Sequence, residues 1–272
     1  DYHTSFEAYF EAKAGLFFRV LPPTGVAVIH IDDPKLVSFA ERLRKEGQKT
    51  ITVGRSVDAD LRLLAQKYDP AGQTIRFSYD GKTHQSFLPL IGGFQGENVL
   101  MAAALCIATG QEGHAVFEVL RELKTVRGRM EHAATRANGA TVFVDYAHTP
   151  DAVETAINAY RPHVMGRLIA IIGAGGDRDP TKRPLMGAAA AQSADYVVVT
   201  DDNPRSEDPK HIRNMVLEGT RGQDHVIEIG DRAEAILRAI DMLETGDGLL
   251  ITGKGHETGQ IIGDDLLPFN DV

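Results

Sequence analysis

Two short apolar runs decide the fold of this chain: Arg167-Leu-Ile-Ala-Ile-Ile172 and Tyr196-Val-Val-Val-Thr200. They are rich in Val and Ile, and an alanine-rich segment separates them, which is typical of parallel strands joined by a helix. Each run ends in a polar loop, Gly173-Ala-Gly-Gly-Asp-Arg-Asp179 and Asp201-Asp-Asn-Pro-Arg205. Ligands of open α/β sheets bind outside the carboxyl ends of the strands, so we expect these two loops to share one rim.

The same alternation extends through the second half of the chain. The predicted strands are 141–144, 167–172, 196–200, 225–229 and 248–252, and the helices between them are roughly 152–160, 184–193, 211–218 and 233–243. This order requires a mostly parallel sheet that is covered on both faces. A polar stretch from Arg127 to Asn138 precedes it, and we place a domain boundary there, which gives domains 1–136 and 137–272.

The first half of the chain is predicted to be a mixed α/β unit. A helix is expected from Ser5, as its N-cap, to Phe18, followed by strand 25–31, helix 36–45 and strand 50–53. Alternating residues from Gln73 to Leu90, with Asp80-Gly81 at the turn, predict a β-hairpin. Helices are then expected over 99–108 and 115–123, with Asn98 at or near the start of the first.

Composition limits the function classes. The net charge of −9 argues against non-specific binding to nucleic acid or to an anionic membrane, because both require clustered Lys and Arg. No apolar run approaches the roughly 20 residues of a membrane span. The single cysteine, Cys106, excludes an intramolecular disulfide and fits a reducing, cytoplasmic setting. Its apolar surroundings predict a buried, inert thiol. The sequence does not indicate the oligomeric state.

Four of the five predicted strands end in loops dense with functional groups: 145–150, 173–179, 201–205 and 253–257. Arg178 and Arg205 are suited to pair with carboxylates, while Asp202 and Glu257 are suited to accept hydrogen bonds from an ammonium group. Asn203 and the backbone of Gly253 add neutral partners. We therefore expect a cup for a ligand that carries both carboxylate and amino groups. Neither G-x-G-x-x-G nor a Walker A motif occurs, since Arg178 occupies the third glycine position of the first pattern.

Lys13 holds an unusual position in the first predicted helix. It lies seven residues after Phe6, four after Tyr9 and three after Phe10, so it shares their apolar face. A lysine in this position commonly extends its ammonium group to solvent. Burial would instead lower its pKa and leave a neutral, nucleophilic amine. The residues alone leave both interpretations open.

Five motifs in a fixed order resemble those of the Mur ligases, bacterial enzymes of cytoplasmic peptidoglycan precursor synthesis. The motifs are Gly128-Arg-Met-Glu131, Val144-Asp-Tyr-Ala-His-Thr-Pro-Asp-Ala152, Gly173–Asp179 with Lys182-Arg-Pro-Leu-Met-Gly187, Asp202-Asn-Pro-Arg205 and Gly253-Lys-Gly-His-Glu257. The resemblance runs from Asp1 to Val272. It implies an α/β protein in which residues 1–136 are the second half of the central ATP-binding domain. Residues 137–272 are then the C-terminal amino-acid-binding domain, a Rossmann-like, mostly parallel sheet.

The resemblance also implies roles for particular residues. Lys13 matches the family's carbamylated, catalytic lysine, and as a carbamate it becomes a ligand of Mg²⁺. The residues that match the ATP site are Asn98, Arg129, Asp145 and His148. The residues that match the amino-acid site are Arg178, Asp202, Asn203, Arg205, Gly253 and Glu257. Gln95 departs from the pattern, because many members have Asn there.

The implied reaction is ATP-dependent amide bond formation on UDP-MurNAc-L-Ala-D-Glu through an acyl phosphate. In this family Asp-Asn-Pro-Arg marks meso-2,6-diaminopimelate rather than lysine, and Arg205 is suited to pair with the additional carboxylate. The family's UDP-sugar domain and P-loop have no counterpart here, so we expect a fragment that is inactive by itself. Two alternatives remain: a folylpolyglutamate synthetase-like ligase, and a module that binds an amino acid without chemistry. We expect no nucleic-acid or membrane partner.

Overall fold

A computed structural model describes residues 3–272 and divides into two compact units. The first unit comprises the chain up to Lys67 with Gln73–Leu88 and Gly93–Leu123, and the second comprises Tyr68–Gly72, Pro89–Gly92 and Lys124–Val272. The predicted boundary between residues 136 and 137 stays a prediction. Asp1, where the family resemblance begins, lies outside the described residues. Within residues 3–272, no helix is long and apolar enough to cross a membrane.

The first half of the chain builds a five-stranded sheet in the order β1-β2-β3-β4-β5. Its elements are α1 (Phe6–Gly15), continued by a π-helical turn (Leu16–Val20), β1 (Val26–His30), α2 (Pro34–Lys45), β2 (Lys49–Gly54), β3 (Leu61–Asp69), β4 (Gly72–Tyr79), β5 (Lys82–Leu88), α3 (Phe94–Ala108) and α4 (Gly113–Glu118), continued by a 3₁₀ turn (Val119–Glu122). Strand β3 was not predicted from the sequence, because Leu61 and Leu63 are its only buried residues and most of the others are polar.

Local chemistry explains where several of these elements begin and turn. The Ser5 hydroxyl accepts a hydrogen bond from the Ala8 N–H at 3.1 Å and caps α1, which confirms the predicted N-cap. The Asp33 carboxylate accepts from the Lys35 N–H at 2.7 Å and caps α2. At the predicted hairpin turn, Asp80 and Gly81 have φ values of 48° and 71°, as a tight turn between antiparallel strands requires.

The second half of the chain builds a six-stranded sheet in the order β10-β9-β8-β11-β7-β6. Its elements are β6 (Glu131–Thr135), β7 (Thr141–Asp145), α5 (Pro150–Tyr160), β8 (Leu168–Ile172), α6 (Lys182–Ser193), β9 (Tyr196–Val199), α7 (Pro209–Glu218), β10 (Val226–Glu228), α8 (Arg232–Asp241), β11 (Gly248–Thr252), β12 (Gly259–Ile262) and β13 (Asp265–Pro268). Every neighbouring pair in this sheet is parallel except β6 with β7, which confirms the predicted mostly parallel sheet.

Two features of the second half were not predicted: strand β6, and the hairpin of strands β12 and β13. Strand β6 lies in the polar stretch that we assigned to the domain boundary, and it pairs antiparallel with β7. Strands β12 and β13 form a separate antiparallel hairpin, in which β13 is exposed throughout. An exposed edge strand has little of the apolar alternation by which a sequence indicates a strand, so both remained hidden.

Successive side chains along the strands of this sheet pack alternately into two apolar cores. Leu168, Ala170 and Ile172 of β8 pack in a core with residues of α5, α6 and α7, whereas Ile169 and Ile171 pack in a core with residues of α8. Successive strand residues point to opposite faces, so a continuous apolar run such as Leu168–Ile172 supplies both cores. The sheet is therefore covered on both faces, as predicted.

The parallel pairing aligns the carboxyl ends of four neighbouring strands. Thr252 of β11 pairs with Asp145 of β7, and Ile251 of β11 pairs with Ile171 of β8. Strand β9 continues the alignment on the other side of β8, where Val199 pairs with Ile172. The loops that follow β7, β8, β9 and β11 consequently start at the same edge of the sheet.

His163 is a buried histidine in the second unit. Its Nε2 accepts a hydrogen bond from the Gly92 N–H at 3.0 Å, and its Nδ1 lies 2.8 Å from the carbonyl oxygen of Asp69. Because a carbonyl only accepts, Nδ1 carries the proton and the ring is neutral. Desolvation lowers the pKa of His163, although the Asp69 carbonyl opposes that shift.

We expect His163 to make the protein less stable as the pH falls. Below the ordinary value of 6.5, a histidine of the unfolded chain takes up a proton that the folded protein excludes. The free energy of unfolding therefore decreases as the pH falls from 6.5 towards the lowered pKa of the folded state. Urea unfolding on both sides of pH 6.5 measures this dependence. His163→Gln should reduce it and exposed His132→Gln should not, and equal slopes in the two variants would contradict this account.

Candidate functional site

A cleft of about 390 Å³ lies in the second unit at the carboxyl ends of β7, β8, β9 and β11. The structure brings all six residues that were matched to an amino-acid site into its lining, together with His148. These residues are Arg178, Asp202, Asn203, Arg205, Gly253 and Glu257. The sequence predicted that these residues lie close together, and the structure confirms it. Their role in binding stays a prediction.

One wall of the cleft is a hydrogen-bonded group built on Asn203. Its Nδ2 donates to Glu257 Oε2 at 2.8 Å, while its Oδ1 accepts from Lys254 Nζ at 2.6 Å and from the Ile261 N–H at 3.0 Å. Asp202 is buried beside it, and its carbonyl accepts from Gln260 Nε2 at 2.7 Å. The hairpin β12–β13 thereby ties the loop after β9 to the loop after β11.

Glycine is required at position 253 for two reasons. Its φ of 112° is one that side-chain-bearing residues rarely adopt. A Cβ there would also lie 2.4 Å from Asp202 Oδ2. Any larger residue would displace the Asp202 carboxylate from the cleft wall.

Two of the three arginines that line the cleft, Arg205 and Arg178, are held differently. Arg205 has a φ of 52°, and its backbone N–H donates to Ile261 O at 3.1 Å while its carbonyl accepts from the Gly263 N–H at 2.7 Å. Its Nη1 donates to Gly176 O at 2.7 Å. A left-handed backbone costs about 1–2 kcal/mol at such a residue, and these bonds maintain it. Arg178 is exposed, and its Nη1 reaches Asp177 O at 3.2 Å.

An ion pair beneath the glycine loop supports that loop from inside. Arg183 is buried, and its Nη1 and Nη2 donate to Glu207 Oε2 and Oε1 at 2.8 and 2.7 Å. Glu207 also accepts from the Asp177 N–H at 2.6 Å. Arg183 lowers the pKa of Glu207 to about 2 from 4.5. The sequence motif that contains Arg183 did not indicate its role, because its partner, Glu207, lies far from it in the sequence.

Three of the four residues matched to an ATP site gather around Tyr146 in the second unit. The Arg129 guanidinium lies 5.0 Å from the centroid of the Tyr146 ring, and the His148 ring lies 4.7 Å from it. The Asp145 oxygens accept from the Met130 N–H at 2.8 Å and the Ala147 N–H at 2.9 Å. Burial raises the pKa of Asp145. The sequence analysis did not single out Tyr146, the centre of this group.

The other two assigned residues, Lys13 and Asn98, belong to the first unit. Lys13 is exposed, with its Nζ 4.7 Å from the centroid of the Tyr9 ring, so the burial considered in the sequence analysis does not occur. Asn98 is exposed one turn inside α3, which begins at Phe94, so it does not cap that helix. Cys106 is also exposed, and the prediction of a buried thiol was wrong because it faces away from the apolar side of α3.

Among residues 3–272, one group offers metal-ligand atoms within 4.8 Å of one another: His30, Asp32 and Glu97. Glu97 Oε1 accepts from Arg55 Nε at 2.7 Å, and Asp32 accepts from the N–H groups of Arg55 and Ser56. Both carboxylates thus already accept hydrogen bonds from the protein, and Lys13 does not belong to the group.

Family models match most of this chain. The Mur ligase middle domain matches residues 1–106, and the Mur ligase glutamate ligase domain matches residues 128–255. The second match contains the whole cleft except Glu257. The chain belongs to the Mur ligase family, and it carries the middle and C-terminal domains of that family.

Within the family, the similar curated relatives share one name. UDP-N-acetylmuramoyl-L-alanyl-D-glutamate–2,6-diaminopimelate ligase of Zymomonas mobilis is 49% identical over 276 residues, and that of Caulobacter vibrioides is 46% identical over 272 residues. Both alignments cover 100% of this chain and 56% and 55% of the respective relative. The chain thus spans about half the length of these curated relatives.

Solved structures agree with the fold. A ligase structure of the same name has a TM-score of 0.76 at 36% identity and covers 99% of this chain and 55% of its own. Folylpolyglutamate synthase of Mycobacterium tuberculosis, complexed with ADP, has a TM-score of 0.65 at 24% identity and covers 93% of this chain and 58% of its own. The second likeness shows a shared fold alone.

Replacing Glu207 should test the support beneath the glycine loop. We expect Glu207→Gln to lower the free energy of unfolding by about 1–3 kcal/mol, because Arg183 would keep buried donors without a charged acceptor. The contribution of Glu207 is present above pH 4.5 and is lost as the pH falls towards 2. Thermal melting measures the change, with exposed Glu154→Gln as the control. Equal melting temperatures for the two variants would contradict the assignment.

Proposed function

We propose that the protein is an ATP-dependent ligase that adds meso-2,6-diaminopimelate to UDP-MurNAc-L-Ala-D-Glu. The observation that carries the proposal is one cleft whose lining includes the guanidinium groups of Arg178 and Arg205 and the carboxylates of Asp202 and Glu257. Relatives 46–49% identical over the whole chain bear the name of such a ligase.

The charges of the cleft complement those of a zwitterion with two amino-acid centres. Diaminopimelate carries two ammonium groups and two carboxylates. The Asp202 and Glu257 carboxylates are acceptors for an ammonium group, while Arg178 and Arg205 are fork-shaped donors for carboxylates. Lysine lacks the second carboxylate, so one guanidinium would remain without its partner, and the cleft would discriminate against lysine.

The proposed chemistry begins with transfer of the γ-phosphoryl group of ATP to the D-glutamyl carboxylate. The amine of diaminopimelate then attacks the acyl phosphate, forms the amide bond and releases phosphate. Asp202 and Glu257 would orient that amine. Arg129, Asp145 and His148, which gather around Tyr146 in the same unit, would contact the nucleotide. Positioning of this kind contributes roughly 7–11 kcal/mol to lowering a reaction barrier.

The proposal includes Mg²⁺, for which a modified Lys13 would supply oxygen ligands. An amine is not a ligand of Mg²⁺, which takes oxygen ligands, but a carbamate on Lys13 Nζ would supply two. The exposed Lys13 side chain has room for that carbamate. Bound Mg²⁺ would offset the charge of the phosphates. Carbamylation would also explain a lysine placed on the aromatic side of α1.

The alternatives make different predictions about the amino acid. A folylpolyglutamate synthetase-like ligase would have no preference for an amino acid with two centres, and the observed likeness to such a synthase shows the fold alone. A module without chemistry would bind an amino acid without releasing phosphate. We propose a bacterial, cytoplasmic setting because peptidoglycan precursors are assembled there.

Amino-acid-dependent phosphate release tests the proposal in the whole protein. With ATP, Mg²⁺ and UDP-MurNAc-L-Ala-D-Glu present, we expect release with meso-diaminopimelate and little with L-lysine or L-glutamate. Equal phosphate release with all three amino acids would support the folylpolyglutamate synthetase-like alternative. Calorimetry with the 272-residue chain tests the cleft itself, and binding of meso-diaminopimelate by the whole protein without any phosphate release would support the module.

Replacing Arg205 should separate amino-acid binding from nucleotide binding. We expect Arg205→Ala to weaken meso-diaminopimelate binding by about a hundredfold, since a lost bidentate pair with a charge costs about 1.5–3 kcal/mol, and to leave ATP affinity unchanged. Arg205→Lys should recover only part of the loss, because lysine lacks the fork.

Calorimetry measures both affinities, and the control is Arg221→Ala, an arginine whose side chain is 80% exposed outside the cleft. An equal loss of both affinities in Arg205→Ala would exclude Arg205 from the amino-acid site.

A further inference from the structure

We propose that Lys254 is a positioning residue for this cleft: it fixes the side-chain amide of Asn203 so that Nδ2 faces Glu257. The identity of the ligand rests on the proposed function, whereas the orientation of the amide does not. Lys254 was quoted within a sequence motif, but neither the motif nor the family resemblance gave it a role.

Lys254 lies beneath the cleft wall and has no access to solvent. Its side chain is 0% exposed, which is unusual for a lysine. The ammonium donates to Asn203 Oδ1 at 2.6 Å and to Gly259 O at 2.9 Å. A buried ammonium without acceptors would be strongly destabilising, so these two bonds account for its place in the fold. Lys254 is not in the lining of the cleft, and it therefore acts through its neighbours.

The donors around Asn203 determine which way its amide points. Lys254 Nζ and the Ile261 N–H are donors only, and both lie against the same atom of Asn203. That atom must be the oxygen, which leaves Nδ2 on the opposite side, 2.8 Å from Glu257 Oε2. Turning the amide over would bring NH₂ against two donors and an oxygen against a carboxylate. Lys254, whose bond is the shorter of the two, therefore acts with the Ile261 N–H to keep the amide in the orientation that holds Glu257.

Lys254 also counterbalances the two carboxylates that face the cleft. Its Nζ lies 3.8 Å from Asp202 Oδ1 and 3.8 Å from Glu257 Oε2. Desolvation lowers the pKa of Lys254, while the charges of Asp202 and Glu257 oppose that shift. Within residues 3–272, Glu257 Oε1 accepts no hydrogen bond from the protein. The carboxylate is thus anchored through Oε2, and because Glu257 lines the cleft, its Oε1 is available to an ammonium group of the proposed ligand.

Lys254→Met provides the test, because methionine has a similar length and no donor. The first measurement, without ligand, is the rate at which the Asn203 side-chain amide protons exchange with solvent, observed by NMR. The second is the affinity for meso-diaminopimelate by calorimetry, in Lys254→Met, Asn203→Ala and the double variant. Arg167→Met is the control, because it breaks an ion pair with Asp247 (2.7 Å) at the opposite, amino ends of β8 and β11.

We expect Lys254→Met to accelerate amide exchange and to lower the affinity about tenfold, a change of about 1.4 kcal/mol. In the Asn203→Ala background the same replacement should have little further effect, because the two residues act as one unit. Arg167→Met should lower stability without changing either measurement. Unchanged amide exchange in Lys254→Met, or a full tenfold loss that persists in Asn203→Ala, would overturn the proposal.

Two further observations test the proposal if the variant does not fold or the ligand does not bind. If Lys254→Met does not fold, the natural chain labelled with ¹⁵N-lysine should show a slowly exchanging ammonium signal with cross-peaks to Asn203 and Ile261. Its absence would refute the contact. If the natural chain does not bind meso-diaminopimelate, the proposed ligand is wrong, and the amide exchange rates still decide the role of Lys254.

Discussion

The parallel pairing of β7, β11, β8 and β9 is the constraint on which the rest of this structure depends. Parallel strands in register end at one edge, so four loops that are distant in the sequence begin within three strand spacings of each other. Strand β11 lies between β7 and β8, which places the loop from Gly253 to Glu257 in the middle. The cleft is a consequence of strand order, and its chemistry is a consequence of which residues the loops carry.

The cleft is dense in charge, yet nearly every charged group in its walls has a partner within the fold. Arg183 pairs with Glu207 beneath the glycine loop, and Lys254 bonds Asn203, which in turn bonds Glu257. Buried polar networks rigidify a site when all members are satisfied. Two backbone positions, Arg205 and Gly253, are held in left-handed conformations within it. This combination indicates a preorganised site, in which the groups that face the ligand are positioned before the ligand arrives.

Family membership and specificity rest on different parts of the molecule. The fold is shared with a folylpolyglutamate synthase at 24% identity, so the arrangement of strands does not choose between substrates. The relatives at 46–49% identity share a diaminopimelate ligase name, and the residues that would distinguish that substrate lie in the loops after β8, β9 and β11. If the proposed function holds, a change of a single guanidinium or carboxylate in those loops would alter which amino acid fits, while both cores remain intact.

The sequence by itself determined the α/β class, five of the eight strands and the four α-helices of the second half, the hairpin at Asp80-Gly81 and the set of residues that meet in the cleft. These features come from local patterns: apolar runs, turn residues and polar loop ends. Strands β3, β6, β12 and β13 were not predicted because most of their residues are polar or not buried. Only the tertiary structure showed that Lys13 and Cys106 are exposed, since helical spacing places residues on a face without saying what covers that face. Likewise, only the folded chain revealed Lys254 and Arg183 as internal supports, because their partners, Asn203 and Glu207, are brought to them by strand pairing across tens of residues.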